Sequence, residues 1–168
     1  MIIDTAGALM HEGMEDKQPK LGGVSESKYN NGESDLVVAT VNELLTDVGL
    51  TAADIGVISP YNAQVNQIKK LLFESLGETT APKIEVSTVD GFQGREKEVI
   101  IISMVRSNPS KTIGFLSNER RMNVAVTRAK RQCILICDSG TVNKSVFLKG
   151  LTDYFKEKGL ARSAFDYQ

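Results

Sequence analysis

Three side chains in the stretch Val86-Ser87-Thr88-Val89-Asp90-Gly91-Phe92-Gln93-Gly94-Arg95-Glu96 could grip an anion or a sugar: the amide of Gln93, the guanidinium of Arg95 and the carboxylate of Glu96. Gly91 and Gly94 let the backbone bend tightly around them. An alternating run, Ile84 to Thr88, leads in as a strand, and the apolar run Val99 to Val105 leads away as a strand buried on both faces. Ligands of open α/β sheets bind beyond strand ends, so this turn is a candidate site. The same residues are also compatible with a tight turn whose polar groups only meet water.

Two further stretches carry chemistry. Ser59-Pro60-Tyr61-Asn62-Ala63-Gln64 follows the strand Ile55 to Ser59 and offers an aromatic ring to stack on a base, or to pack over a helix start. Between Asn118 and Lys130 a helix is expected, with Met122, Val126 and Ala129 as its apolar stripe, Arg121 and Arg128 on one face, and Asn123, Thr127 and Lys130 on another. Small and apolar neighbours around Arg128 imply a partly buried guanidinium that needs an anion, and a γ-phosphate meets that need. Asp4-Thr5-Ala6-Gly7 reads as a strand end rather than a ligand contact.

The elements that must hold these groups alternate along the chain. Met1 to Asp4 is a short strand, and residues 5–33 read as a long exposed loop. An amphipathic helix runs from a Ser34 cap to Val48, and a second, with Val65, Ile68, Leu72 and Leu76 inward, closes at Gly77. Ile134 to Asp138 is a strand, a last helix carries Val146, Phe147, Leu151, Tyr154 and Phe155, and the tail beyond Gly159 reads as dispensable. This alternation calls for a mostly parallel sheet with helices on both faces.

At 168 residues the chain fits one α/β domain, and its 41% hydrophobic and 24% charged content belongs to a globular protein. No run is long enough to span a membrane and no signal peptide is evident, so an intracellular location, nuclear or cytoplasmic, is expected. Cys133, Cys137 and the lone His11 are too few for a zinc site, which leaves reduced thiols. The net charge of −1 excludes a generally basic nucleic-acid binder. Yet Arg95, Lys97, Arg106, Lys111, Arg120, Arg121, Arg128, Lys130 and Arg131 oppose only Glu96, Glu98 and Glu119, a local excess suited to phosphate.

Together these stretches resemble the second RecA-like motor domain of superfamily 1 helicases, in the group of the nonsense-mediated-decay helicase, the immunoglobulin mu-binding protein helicase, senataxin and the polymerase alpha-associated helicase. Residues 57–64 resemble motif IV, 86–96 motif V and 121–130 motif VI, and the likeness spans nearly the whole chain. By that resemblance Tyr61 stacks on adenine, Gln93 and Gly94 line the nucleotide cleft, Glu96 contacts the ribose or triphosphate side, and Arg128 reaches the γ-phosphate. Arg128 and Gln93 are then the catalytic pair. Ser87, Thr88 and Asn123 face single-stranded RNA or DNA. Val65 stands where some relatives carry a second phosphate-binding arginine. Tyr61, Glu96 and Arg128 are accordingly expected to meet on one cleft edge.

The 168 residues contain no Gly-x-x-x-x-Gly-Lys-Ser/Thr loop and no acidic pair after a strand. ATP with Mg²⁺ is therefore expected to be held mainly by an N-terminal RecA-like partner domain, and the chain by itself is expected not to hydrolyse it. A non-catalytic domain that binds single strands or serves as a scaffold is the alternative these residues allow.

Overall fold

The computed structural model describes residues 1–15 and 27–167. In chain order the elements are β1 (Ile2–Asp4), β2 (Gly13–Met14), β3 (Lys28–Tyr29), α1 (Asn31–Thr46), β4 (Ile55–Ser59), α2 (Asn62–Thr80), β5 (Glu85–Thr88), β6 (Lys97–Ser103), α3 (Glu119–Val126), β7 (Ala129–Cys137), α4 (Ser139–Val142), α5 (Val146–Lys158) and β8 (Ala161–Ser163). Six strands form one all-parallel sheet in the order β5-β4-β6-β7-β1-β8, and β2 and β3 make a separate antiparallel ribbon. This is the α/β, RecA-like arrangement. Among the described residues no helix is long and apolar enough to cross a membrane.

Successive side chains of a strand point to opposite faces, so the apolar run of β6 feeds two cores. Ile101 joins Val57, Ile134 and Ile136 under α1 and α2, packed by Leu36, Val41, Ile68 and Leu72. Ile100 and Ile102 join Ile58 and Leu135 under α3 and α5, packed by Met122, Leu148 and Phe155. The helices thus cover both faces, as the alternation of elements predicts.

Parallel pairing fixes which end of each strand lies where. Ser59 pairs with Thr88, Ile58 with Ile102, and Ser103 with Ile136, so these mark the carboxyl edge. Ile55 pairs with Val99 and Lys97 with Ala129, which marks the amino edge. Residues 89–96 must therefore travel the length of the sheet, from the end of β5 back to the start of β6. Fully buried Phe92 pins this crossover over β4 at Gly56, where a Cβ would come within 2.7 Å of the Phe92 ring. Gly94, at φ +78, makes the second bend.

Four sequence expectations change. Residues 5–33 are not all exposed loop: among those described, Gly13–Met14 and Lys28–Tyr29 pair, and Thr5, Ser27, Asn30 and Glu33 are buried. Residues 16–26 lie outside the described residues. The α1 cap is Asn30, whose side chain accepts from the Glu33 amide, while Ser34 lies inside the helix and donates to the Asn30 carbonyl.

The α3 helix stops at Val126, so Arg128 sits in the turn that follows and Lys130 on β7; neither belongs to a helix face. The tail is not dispensable. Strand β8 pairs with β1, Ala164 is fully buried, and Arg162 reaches both carboxylate oxygens of Glu43 at 2.8 and 2.9 Å. Cys137 is buried and Cys133 half-buried, both free, and burial pushes both thiols up, Cys133 to about 12.

Candidate functional site

At the amino edge the starts of β5, β6 and β7 deliver charges. Arg95 pairs with Glu85, and Lys97 lies 3.6 Å from the same carboxylate. Lys130 approaches Glu96 at 3.6 Å and Glu98 at 3.7 Å, and Arg131 approaches Glu98 at 2.9 Å. Arg128 is different. Its Nε donates to the Val124 carbonyl at 3.1 Å and its Nη2 to the Thr127 hydroxyl at 3.4 Å, and among the described residues no carboxylate meets it. Its backbone carbonyl accepts from the Lys97 amide at 3.1 Å, which fixes the turn against β6. A half-buried guanidinium held by neutral groups alone keeps its charge free for an outside anion.

Glu96 shares this edge with Arg128, one residue before β6 as Arg128 is one residue before β7. Gln93 and Gly94 are exposed on the crossover, and Gln93 lines a cleft with Val89, Asp90, Arg120, Arg121 and Val124.

Tyr61 lies elsewhere. It follows β4 and so stands at the carboxyl edge, about 20 Å from Arg128 by the rise of a seven-residue strand. The expected meeting of Tyr61, Glu96 and Arg128 therefore fails, because in a parallel sheet residues after a strand and residues before the next occupy opposite ends. Tyr61 is also only 3% exposed. Its ring packs edge-on to Phe115, 5.5 Å between centroids, and its hydroxyl accepts from Arg106 Nη1 at 3.3 Å. Burial raises this phenol, and the Arg106 contact opposes the rise. Adenine has no open Tyr61 face to stack on.

The three residues expected on a single-strand track are not brought together. Thr88 lines a carboxyl-edge groove with Pro60, Asp90, Phe115, Arg121 and Met122. Ser87 lines a separate cleft of about 470 Å³ with Leu72, Phe73, Pro82, Glu85 and Arg95, where α2 ends beside the edge strand β5. Asn123 is exposed on α3, outside both.

Beneath the carboxyl edge lies a buried polar network that single-residue reading missed. Gln64 accepts from the Asn30 amide at 2.7 Å and donates to Ser103 Oγ at 3.0 Å. Ser103 Oγ in turn donates to Glu33 Oε2 at 2.6 Å, and the Val105 amide donates to the same oxygen at 2.9 Å. Val105 has φ +71, a conformation a β-branched residue rarely adopts. The network holds it there and turns the chain so that Arg106 swings back under the loop. Gln64 is thus structural, and the only sequence signal for the network was a polar residue in an otherwise apolar helix face.

The comparisons with known proteins follow this geometry. The chain matches the AAA domain family over residues 1–140. It is 47% identical to the DNA-binding protein SMUBP-2 of Rattus norvegicus over 167 residues, which is 99% of this chain and 16% of that protein. It is 46% identical to the DNA polymerase alpha-associated DNA helicase A of Saccharomyces cerevisiae over 138 residues, 81% of this chain and 20% of the relative. A regulator of nonsense transcripts 1 homolog of Arabidopsis thaliana is 37% identical over 142 residues, 83% of this chain and 11% of the relative. The chain thus spans at most about a fifth of these relatives' length. With a parallel α/β sheet, a cationic turn before β7 and this match over nearly its whole length, the chain belongs to the AAA domain family, in the superfamily 1 helicase group that holds SMUBP-2 and regulator of nonsense transcripts 1.

Proposed function

We propose that this chain is the second motor domain of an ATP-dependent helicase acting on single-stranded RNA or DNA, with its amino edge facing ATP. One observation carries the reading: among the described residues Arg128 is the half-buried cation of that edge that meets no carboxylate, while Arg95, Lys97, Lys130 and Arg131 are paired and Lys83, also without one, is exposed. An arginine so placed serves as an arginine finger, stabilising charge on a transferring γ-phosphoryl group. The Val124 carbonyl anchors its Nε and leaves the fork's far side to the ligand.

Glu96 stands beside it for the ribose or triphosphate side, and exposed Gln93 and Gly94 border the approach. ATP with Mg²⁺ is held mainly by an N-terminal RecA-like domain, whose phosphate loop these 168 residues do not contain. When bound, the nucleotide supplies the phosphoryl group whose loss drives domain opening. The carboxyl edge, with Thr88 in its groove, faces the nucleic acid, to which Ser87 and Asn123 add contacts from its flanks.

In the intact helicase, Arg128→Ala is expected to lower ATP turnover by about 10³-fold or more while nucleotide binding persists. Single-turnover hydrolysis and nucleotide titration read the two separately, and unchanged turnover overturns the assignment. The chain alone is expected to show no turnover.

A further inference from the structure

We propose that Phe115 is the base-stacking platform of the carboxyl edge, a binding residue for single-stranded nucleic acid that rests on the nucleic-acid reading above. Phe115 sits in the short turn Gly114–Ser117, where its neighbour Leu116 is 1% exposed and Phe115 itself 56% exposed. Leu116 anchors the turn in the core, so the ring is displayed rather than loose.

Its support is unusually firm. Tyr61 packs against the ring at an interplanar angle of 64°, Arg106 donates to the Tyr61 hydroxyl, and Glu12 holds Arg106 at 2.8 Å. Tyr61 and Arg106 are buried, and Glu12 is largely so. Gly114, at φ +52, lays its backbone directly on this stack: a Cβ there would fall 2.1 Å from Arg106 Nη1 and 3.0 Å from the Tyr61 hydroxyl. A ring fixed in this way loses little freedom when a base lands on it. Tyr61 therefore acts as a positioning residue for the ring that is exposed.

The surroundings match a nucleotide. The groove beside the ring is lined by Pro60, Thr88, Asp90 and Arg121. Arg121 meets Asp90 at 2.8 Å, but both are open to water, so a phosphate can replace the carboxylate at little cost. Arg120, next along α3, is exposed and meets no carboxylate among the described residues. An aromatic face flanked by guanidinium groups and a hydroxyl is the combination that binds bases by stacking and backbones by charge, without reading sequence.

The chain contains no tryptophan, so Phe115→Trp places its one indole at the platform. Titrated with oligo(dT), oligo(U) and an abasic strand of equal length, this variant is expected to lose indole emission with both base-bearing strands, in step with the anisotropy of the labelled strand. The abasic strand is expected to bind without that loss. Phe115→Ala is expected to weaken binding by roughly 5- to 150-fold, the span of base–aromatic stacking, with an unchanged circular dichroism spectrum because the ring is exposed. Strand binding without quenching, together with unchanged affinity in Phe115→Ala, overturns the platform and leaves the nucleic-acid reading standing. If the unaltered chain binds no strand even at low salt, the nucleic-acid reading falls and the platform falls with it.

Discussion

Arg106 and Glu12 meet at 2.8 Å across ninety-four residues of sequence, with side chains only 5% and 9% exposed. The same Glu12 oxygen accepts from the Ser107 amide at 2.9 Å and the Asn108 side chain at 3.0 Å, and its other oxygen lies 3.3 Å from Lys28. The pair ties the segment before α1 to the loop that follows β6. Removing Arg106 leaves the buried Glu12 charge with Lys28 and neutral donors alone, so Arg106→Ala is expected to destabilise the fold by about 3 kcal/mol. Urea denaturation measures this, and a cost below about 1 kcal/mol would show that water reaches the pair.

Glu33 gives the fold a pH dependence. Burial pushes its carboxyl up to about 7 from an ordinary 4.5, against donation from Ser103 and the Val105 amide, and Glu33 Oε1 meets no hydrogen-bond partner among the described residues. In the unfolded chain the same carboxyl ionises at its ordinary value. Its contribution is therefore complete below pH 4.5 and declines as the pH rises to about 7, by on the order of 3 kcal/mol.

Asp4 and Glu12 behave oppositely at the acid end. Burial would raise both, but Lys156 and Ser139 around Asp4, and Arg106 and Asn108 around Glu12, outweigh it and hold both below their usual values. Their stabilisation is lost as pH falls through those lowered values. Glu33→Gln is expected to flatten the stability curve of the native chain between the mildly acid and neutral range while leaving the acid limb alone. An unchanged neutral slope in chemical denaturation at several pH values would refute the role given to Glu33.

The end of the chain supplies a third expectation. Truncation after Gly159 removes β8 from β1, breaks the bond from the Ile2 amide to the Leu160 carbonyl at 2.8 Å, and strips Arg162 from Glu43. Ala164 and Tyr167 also leave the core under α1. A loss of about 3 kcal/mol or more, and roughly 10 °C in Tm, is expected by thermal unfolding. A truncated chain that melts with the native one would return the tail to the dispensable status that its composition suggests.

What could be read from residues alone divides along physical lines. The apolar runs of β4, β6 and β7 announced themselves because strands buried on both faces need continuous branched residues, and Ile100, Ile101 and Ile102 leave little alternative. The tail, with Ala161–Ser163 at the sheet's edge, carries no such run, since an edge strand of three residues is specified by its neighbour rather than by itself. The α3 boundary was misplaced because Val126, Thr127 and Ala129 keep helical spacing past the point where Arg128 turns into β7.

Arg128 was legible as a candidate from its apolar setting, yet its place opposite Tyr61 was not. Which end of a sheet a residue occupies depends on whether it follows one strand or precedes the next, and the crossover from Val89 to Glu96 hides that distinction in eight residues. Glu12, Asn30 and Glu33 lay in a stretch too polar to suggest burial. Their value comes from partners between 34 and 94 positions away, which no local pattern encodes.

Strand β1 lies between β7 and β8, and the amino group of Met1 donates to the Cys133 carbonyl, 132 positions later. Ile2 and Ile3 therefore find their first sheet partners, Leu135 and Ile136, across more than 130 positions, so the seating of β1 is among the most non-local steps of this fold and is expected to be slow.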